Sequence, residues 1–346
     1  MTTNTACKKL PSSIVLVAAG FVVGALAATG CTPSNKEASK PAGARVEASA
    51  AAPSARVVSA ATALVRGQPT AVAIPHQEPP KLELDRYPWH ADKSLDPLAV
   101  HDDLLRRVDA PAGYTRVELQ PDSFGAWLRR LPLAAPGTPV LSYRGGTILP
   151  ADHPNLTAVA TVDVGKADLQ QCADVVMRLH AEWMWSRGKR DMSYRAASGT
   201  PLPYARWERG ERVVANGQSI GWVQRAASTT NDHASFRKFL DAVFAWSNTV
   251  ALSRQAKEVA LDELRPGDFM ILPGNPGHTV LVLDLATDAE GHRKVLLGQS
   301  YMPAQSFHVL RPRRGEVWFD VNPEAEGIMT PFWPKPFPWS SFRRLD

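Results

Sequence analysis

Cysteine is scarce in this chain, and the scarcity excludes two classes of fold. Of the three cysteines, Cys7 and Cys31 lie in an N-terminal stretch that reads as a signal, which leaves Cys172 as the one thiol of the folded part. A single thiol cannot close an intrachain disulfide, and there is no pair of cysteines at metal-ligand spacing. His153, His180, His233, His292 and His308 are scattered without ligand spacing, so neither a metal nor another cofactor is implied. Charge of one sign is also lacking in the folded part. Lys8 and Lys9 contribute +2 of the formal +5, and Lys36, Lys40, Arg45, Arg56 and Arg66 against Glu37, Glu47 and Glu78 another +2, leaving about +1. The basic balance is therefore no argument for nucleic acid, and Arg311-Pro-Arg-Arg314 reads as a solvated loop. After the N-terminal stretch there is no apolar run long enough to cross a membrane and no internal repeat.

The two ends of the chain differ in composition. Lys8-Lys9, the apolar run Ile14 to Ala28 and the small residues Ala28-Thr-Gly-Cys31 resemble a bacterial lipoprotein signal peptide over residues 1–30. The resemblance implies export, with Cys31 as the lipidated N-terminus and the membrane as a partner. Thr32, not Asp, follows the cysteine, which favours the periplasmic face of the outer membrane. Residues 31–80 are Ala, Pro, Ser and Val without a period and read as a tether. About 49 residues of such coil span roughly 40 Å. Residues 81–346 read as a single α+β domain, with a site-bearing core at about 156–310.

Within that domain, helical spacing predicts helices over Leu95 to Val108, Ser123 to Leu131, Leu169 to Ser186 with Asp168 as N-cap, and Ser235 to Ala251. Strands are expected over Tyr114 to Leu119, around Gly145-Gly146, and over Leu156 to Val164. The third helix carries Cys172 in its first turn and a ladder of Asp174, Arg178 and Glu182 four residues apart, read as ion pairs that brace it. Gly217-Gln-Ser-Ile-Gly221 fits the pattern of a serine nucleophile elbow, but strand-like residues follow it, and it reads as a hairpin turn. The Pro- and aromatic-rich tail Phe332 to Trp339 suits neither helix nor central strand and is expected to wrap the surface.

The chain is organised around Arg265 to Leu310, a Val/Leu hairpin between Pro-Gly turns with His278 at its mouth. If Thr287 pairs with His292, His278 falls opposite Tyr301, with Gln299 one diagonal step away. A thiol at a helix start, an imidazole and a polar side chain are the parts of a cysteine hydrolase. The helix end stabilises a thiolate, the imidazole moves the proton, and the third group holds the imidazole. Cys172, His278 and Gln299 are the candidates, with Asp284 and His308 in reserve for the third place. The amide of Cys172 and the side chain of Gln171 are candidate oxyanion donors, and Ser300, Tyr301, Met302 and Gln305 candidate cleft residues.

Leu264-Arg-Pro-Gly-Asp268 followed by Gly277-His-Thr-Val-Leu-Val-Leu283 resembles the second half of NlpC-type papain-like cysteine peptidases. There a Pro-Gly-Asp strand precedes the catalytic histidine, and a cysteine opens an upstream helix. The resemblance implies a papain-like fold with Cys172, His278 and Gln299 in the family's order. Gln171-Cys-Ala-Asp174 stands where that family has Asp-Cys-Ser-Gly. A closer resemblance, over most of Tyr87 to Phe319, is to bacterial exported proteins of the domain-of-unknown-function 4846 type, on Gln171-Cys-Ala-Asp174, Arg178-Leu179, Glu182, Gly277-His278 and Gln299-Ser-Tyr-Met-Pro-Ala-Gln305. That family implies no activity. The expected function is a cell-envelope thiol hydrolase of amide bonds, peptidoglycan peptide cross-links being the nearest substrate. The alternative is a non-catalytic envelope lipoprotein that binds a wall fragment or a protein.

Overall fold

Alternating apolar residues between Gly- and Pro-rich turns build the centre of the molecule. The structure, a computed structural model, describes residues 81–346 except 218, 228 and 229. The expected signal at 1–30, Cys31 and the tether at 31–80 lie outside the described residues. Nine strands form one antiparallel sheet: β1 Thr115–Arg116, β2 Leu156–Val159, β3 Lys257–Glu258, β4 Phe269–Leu272, β5 His278–Thr287, β6 Arg293–Gln299, β7 His308–Leu310, β8 Phe319–Val321 and β9 Phe342–Arg344. Their order is β3-β9-β4-β5-β6-β7-β2, with β1 beside β5 and β8 beside β6. With its helices on the sheet, the chain is an α+β protein.

The ten residues of β5 are buried but for the last, so both faces of this strand are covered. Leu281 and Leu283 enter one core with Phe269, Ile271 and the helices. Val280, Val282 and Leu285 enter a second, with Met270, Leu297 and the C-terminal residues Ile328, Phe337 and Phe342. The β5–β6 hairpin departs from its expected register near the turn, where Thr287 pairs with Arg293 instead of His292. A bulge between Val282 and Asp284 restores it, and Leu281 then pairs with Gly298. At the mouth, His278 stands against Tyr301, their ring centroids 4.7 Å apart.

Of four helices, α1 Phe124–Arg129, α2 Cys172–Ser186 and α4 Thr249–Gln255 lie on this sheet, and α3 His233–Trp246 packs on α2. The helix expected over Leu95 to Val108 is reduced to Leu104–Arg107, because Asp103 caps it only there and His101 and Leu104 bond back to Leu133 and Leu131. The helix expected over Ser235 to Ala251 is two, since Ser247 and Asn248 are extended and the Asn248 side chain caps α4 through the amide of Ala251 at 2.9 Å. Gly217 lies in the turn of a hairpin between Glu211–Asn216 and Ser219–Gln224.

The Asp174, Arg178, Glu182 ladder is corrected by the structure. Asp174 takes no part in it. Arg178 is fully buried and donates to Glu182 Oε1 at 2.7 Å, Asp163 Oδ1 at 2.7 Å and Gln170 Oε1 at 3.0 Å. The network continues from Glu182 to His233 Nε2 at 2.9 Å and from His233 Nδ1 to Asp92 at 2.7 Å. On its other side Asp163 meets Arg237, which pairs with Asp241. Seven groups of alternating sign thus tie α2 to the loop before it, to the N-terminal residues and to α3.

Arg178→Leu leaves Asp163 with only Arg237 and Glu182 with only His233 in a buried setting, and is expected to cost about 3–5 kcal/mol in denaturant unfolding, as breaking one side of a buried pair does; a loss under about 1 kcal/mol would show the network to be dispensable. For His233, burial works to lower the pKa, but Glu182 and Asp92 outweigh it and the pKa is raised. Its contribution to stability is therefore complete below about 6.5 and lost as pH rises through the raised value. Unfolding midpoints measured from pH 6 to 9 are expected to fall more steeply for the wild type than for His233→Gln; identical pH dependence would remove this role.

Candidate active site

The site begins with the reason α2 starts where it does. Asp168 is not its N-cap, as expected from the sequence; its carboxylate instead accepts from the amide of Ala304 at 2.7 Å and from Gln171 Nε2 at 3.0 Å. Gln171, in extended backbone, is the cap residue, and its amide donates to Asp174 Oδ2 at 3.1 Å in a capping box. Asp174, excluded from the ion-pair ladder, thereby sets the helix start. Cys172 is the first helical residue, where main-chain amides have no helical partner. Its sulfur lies against the amides of Ala173 and Thr279, and Thr279 directly follows His278.

His278 opens β5 and is held on several sides. Its Nε2 meets Gln299 Oε1 at 2.8 Å. Because that oxygen only accepts, Nε2 carries the proton and the neutral ring keeps a basic Nδ1. Trp333 stacks on the imidazole at 5.1 Å and 25°, and Phe337 lies 6.0 Å away. Tyr301 closes the remaining side and donates its hydroxyl to Phe332 O at 3.3 Å. Among the hydrogen bonds of the described residues none joins Cys172 to His278.

A cleft of about 460 Å³ reaches Cys172, with Gln171, Asn248, Thr249, Asn275 and Met302 among its walls. Thr249 Oγ1 donates to Gly274 O at 3.3 Å and seats the loop 274–277. A Cβ at Gly277 would collide with Thr249 Oγ1 and the Gly274 backbone, so the close approach requires glycine. The cleft borders the helix start, where Cys172 is itself buried, and the strap 327–339 covers the imidazole.

The electrostatics describe a resting, uncharged site. Burial pushes the Cys172 thiol up to about 11, Asp174 adds to this, and the neighbouring amides oppose it. Burial also raises Asp174 to about 8 against the hydrogen bond from Gln171. Burial lowers His278 to about 4, with Gln299 opposing and His308 assisting. At neutral pH the thiol is protonated and the imidazole neutral, so the thiolate expected from the helix end is not the resting species.

The remaining candidates separate. Gln171 Nε2 is engaged by Asp168. Ser300 is buried and donates to Gln305 O at 2.8 Å, so it holds the turn 300–305 instead of lining the cleft. Gln305 is buried as well, its Oε1 without a partner among the described residues. Asp284 does not serve as orienter: it is fully buried and bound by Arg116 and, at 2.6 Å, Arg129. His308 is buried and donates through Nδ1 to Ser306 O at 3.0 Å. Asp288, Glu290 and His292 gather at the exposed hairpin turn, where Asp288 accepts from both backbone amides and His292 Nδ1. Asn248, Thr249 and Trp333 were not among the candidate site residues of the sequence, whereas Met302 was read there as able to line a cleft and does so. The Asn248-Thr249 capping pattern was the available signal, but the contact of Trp333 with His278 had none.

His278 and Gln299 thus form an imidazole and amide pair on the sheet, and Cys172 opens the helix that packs on the strand of His278. By the match of residues 104–344, the chain belongs to the family described as Domain of unknown function (4846). No curated protein and no solved structure matches it.

With the thiol protonated up to about 11, the wild-type rate of Cys172 alkylation by iodoacetamide is expected to rise about tenfold per pH unit from pH 7 to 10. Trp333→Ala is expected to speed alkylation about tenfold at pH 7.5 by loosening the strap; an unchanged rate would show that Trp333 does not restrict the thiol.

Proposed function

We propose that the chain is an exported thiol hydrolase of amide bonds with a papain-like arrangement, held by lipidated Cys31 at the periplasmic face of the outer membrane and acting on peptidoglycan peptides. The observation that carries the reading is the 2.8 Å bond from His278 Nε2 to Gln299 Oε1, on a strand against which the helix opened by Cys172 packs. That bond leaves Nδ1 as the base.

In the reaction the Cys172 sulfur attacks the carbonyl carbon of the amide while its proton passes to His278 Nδ1. The amide of Cys172 meets the oxyanion that forms. His278 Nδ1–H then protonates the leaving amine, the C–N bond breaks and a thioester remains. Water attacks the thioester and gives a proton to Nδ1; as the carboxylic acid forms and the C–S bond breaks, Nδ1–H returns that proton to the sulfur, restoring the thiol and the neutral imidazole. Gln299 keeps the imidazole in the productive tautomer throughout. A neutral thiol and a neutral imidazole suit a step in which proton transfer accompanies attack, and the low pKa of His278 is set by burial that an open strap would relieve.

The burial of both groups supports a second reading, a binding protein in which Cys172 is a core thiol. Digestion of purified peptidoglycan, with fragments identified by mass, separates the two. Wild type is expected to release a peptide product, Cys172→Ala none, His278→Ala about 10²–10⁴-fold less and Gln299→Ala about 10–100-fold less. Product from Cys172→Ala at the wild-type rate would exclude the thiol mechanism, and no product from any form would favour the binding reading.

A further inference from the structure

The near-neutral charge of the folded part conceals a strong separation. Residues 187–225 hold eight Lys and Arg against three Asp and Glu, a net +5, whereas residues 81–346 total about +1. The rest of the folded part is therefore about −4. We propose that this basic segment is a docking surface for an anionic phospholipid bilayer.

The segment folds as one lobe. It comprises the hairpin Ser193–Arg195 with Pro201–Pro203, the helix Tyr204–Glu208 and the hairpin Glu211–Asn216 with Ser219–Gln224. Tyr204 N bonds Met192 O at 3.0 Å and Arg225 N bonds Gly210 O at 3.0 Å, which closes the pieces on one another. Carboxylates neutralise only part of its charge. Arg206 and Arg209 share Glu211, and Arg187 meets Asp122 at 2.9 Å. Lys189, Arg195 and Arg225 are exposed and have no carboxylate partner among the described residues.

Indole rings hold several of these cations in place. Arg190 lies 3.4 Å over Trp185, Arg212 3.8 Å over Trp207, Arg206 4.9 Å over Trp222 and Lys189 5.6 Å over Trp183. A guanidinium whose face is against a ring still offers N–H groups at its edge, in the geometry that phosphate oxygens accept. Tryptophan with Arg and Lys is also the composition that settles at the headgroup level of a membrane. The cavities at Cys172, Arg311 and His233 are lined by no residue between 188 and 225. Positive charge spread over hairpins outside those cavities fits an extended anionic plane. A soluble polyanion is instead held in a groove that tracks it.

The test is sedimentation of the full chain with vesicles of phosphatidylcholine alone or with about 30% phosphatidylglycerol, for wild type and for the variant K189Q/R195Q/R209Q/R225Q. The four residues are exposed. Matching circular dichroism and unfolding midpoints verify that the variant is folded. The N-terminal segment, itself basic, is common to both proteins, so binding of the variant to the anionic vesicles measures its contribution. Wild type is expected to bind the anionic vesicles about tenfold or more tightly than the variant does, with the difference vanishing at about 0.5 M salt and absent on neutral vesicles. Equal binding by the two proteins to anionic vesicles overturns the proposal. So does capture of the wild type by heparin without any preference for anionic over neutral vesicles, which would make the partner a soluble polyanion.

Discussion

A guanidinium with no access to water is the constraint on which the rest of the structure depends. Arg178 can be buried only if every strong donor direction finds an oxygen, and Asp163, Glu182 and Gln170 provide them. Asp163 and Gln170 belong to the chain just before α2, so satisfying Arg178 pins the approach to the helix as well as the helix. Glu182 passes the requirement to His233, and His233 to Asp92, which draws in the N-terminal residues of the described part. The position of Cys172 follows from this anchoring: the loop ends at Gln171, Asp174 closes the capping box, and the thiol is left on the first helical residue.

The same burial that orders the candidate site also keeps it uncharged. A thiol near 11 beside an imidazole near 4 has the wrong protonation order for a resting ion pair, and desolvation is the first cause of both shifts. The covering groups come from the far C-terminus, where Trp333 lies on His278 and Phe332 accepts from Tyr301. Trp333 Nε1 and Thr330 Oγ1 in this strap are buried without partners among the described residues.

Much of the site was legible from local rules. A Pro-Gly turn before a Val/Leu run with histidine at its head located β5, and alternation placed Gln299 and Tyr301 beside His278 even though the register near the turn was one residue off. The bulge by Asp284 corrected it, and at that bulge the Asp284 carboxylate is buried against Arg116 and Arg129, which lie 168 and 155 residues away in sequence. Helix ends were less legible. Asp168 and Gln171 are both able to cap, and the amide of Ala304 decided between them by engaging Asp168. Asp174, Arg178 and Glu182 have ideal helical spacing for a ladder, but spacing does not report that Asp163 competes for the same guanidinium.

By itself, the sequence determined that one thiol, at the head of an amphipathic helix, and one histidine, at the mouth of an apolar hairpin, belong to an α+β chain. Periodicity and turn chemistry are local properties and can be read without coordinates. Only the tertiary structure decided that Asp284 and His308 are taken up elsewhere, that Trp333 covers the imidazole, that Asp174 serves the helix start, and that positive charge gathers in one lobe. Each of these depends on which distant groups share a desolvated space. There a hydrogen bond or a charge is worth far more than in water, and sequence distance carries no information about it.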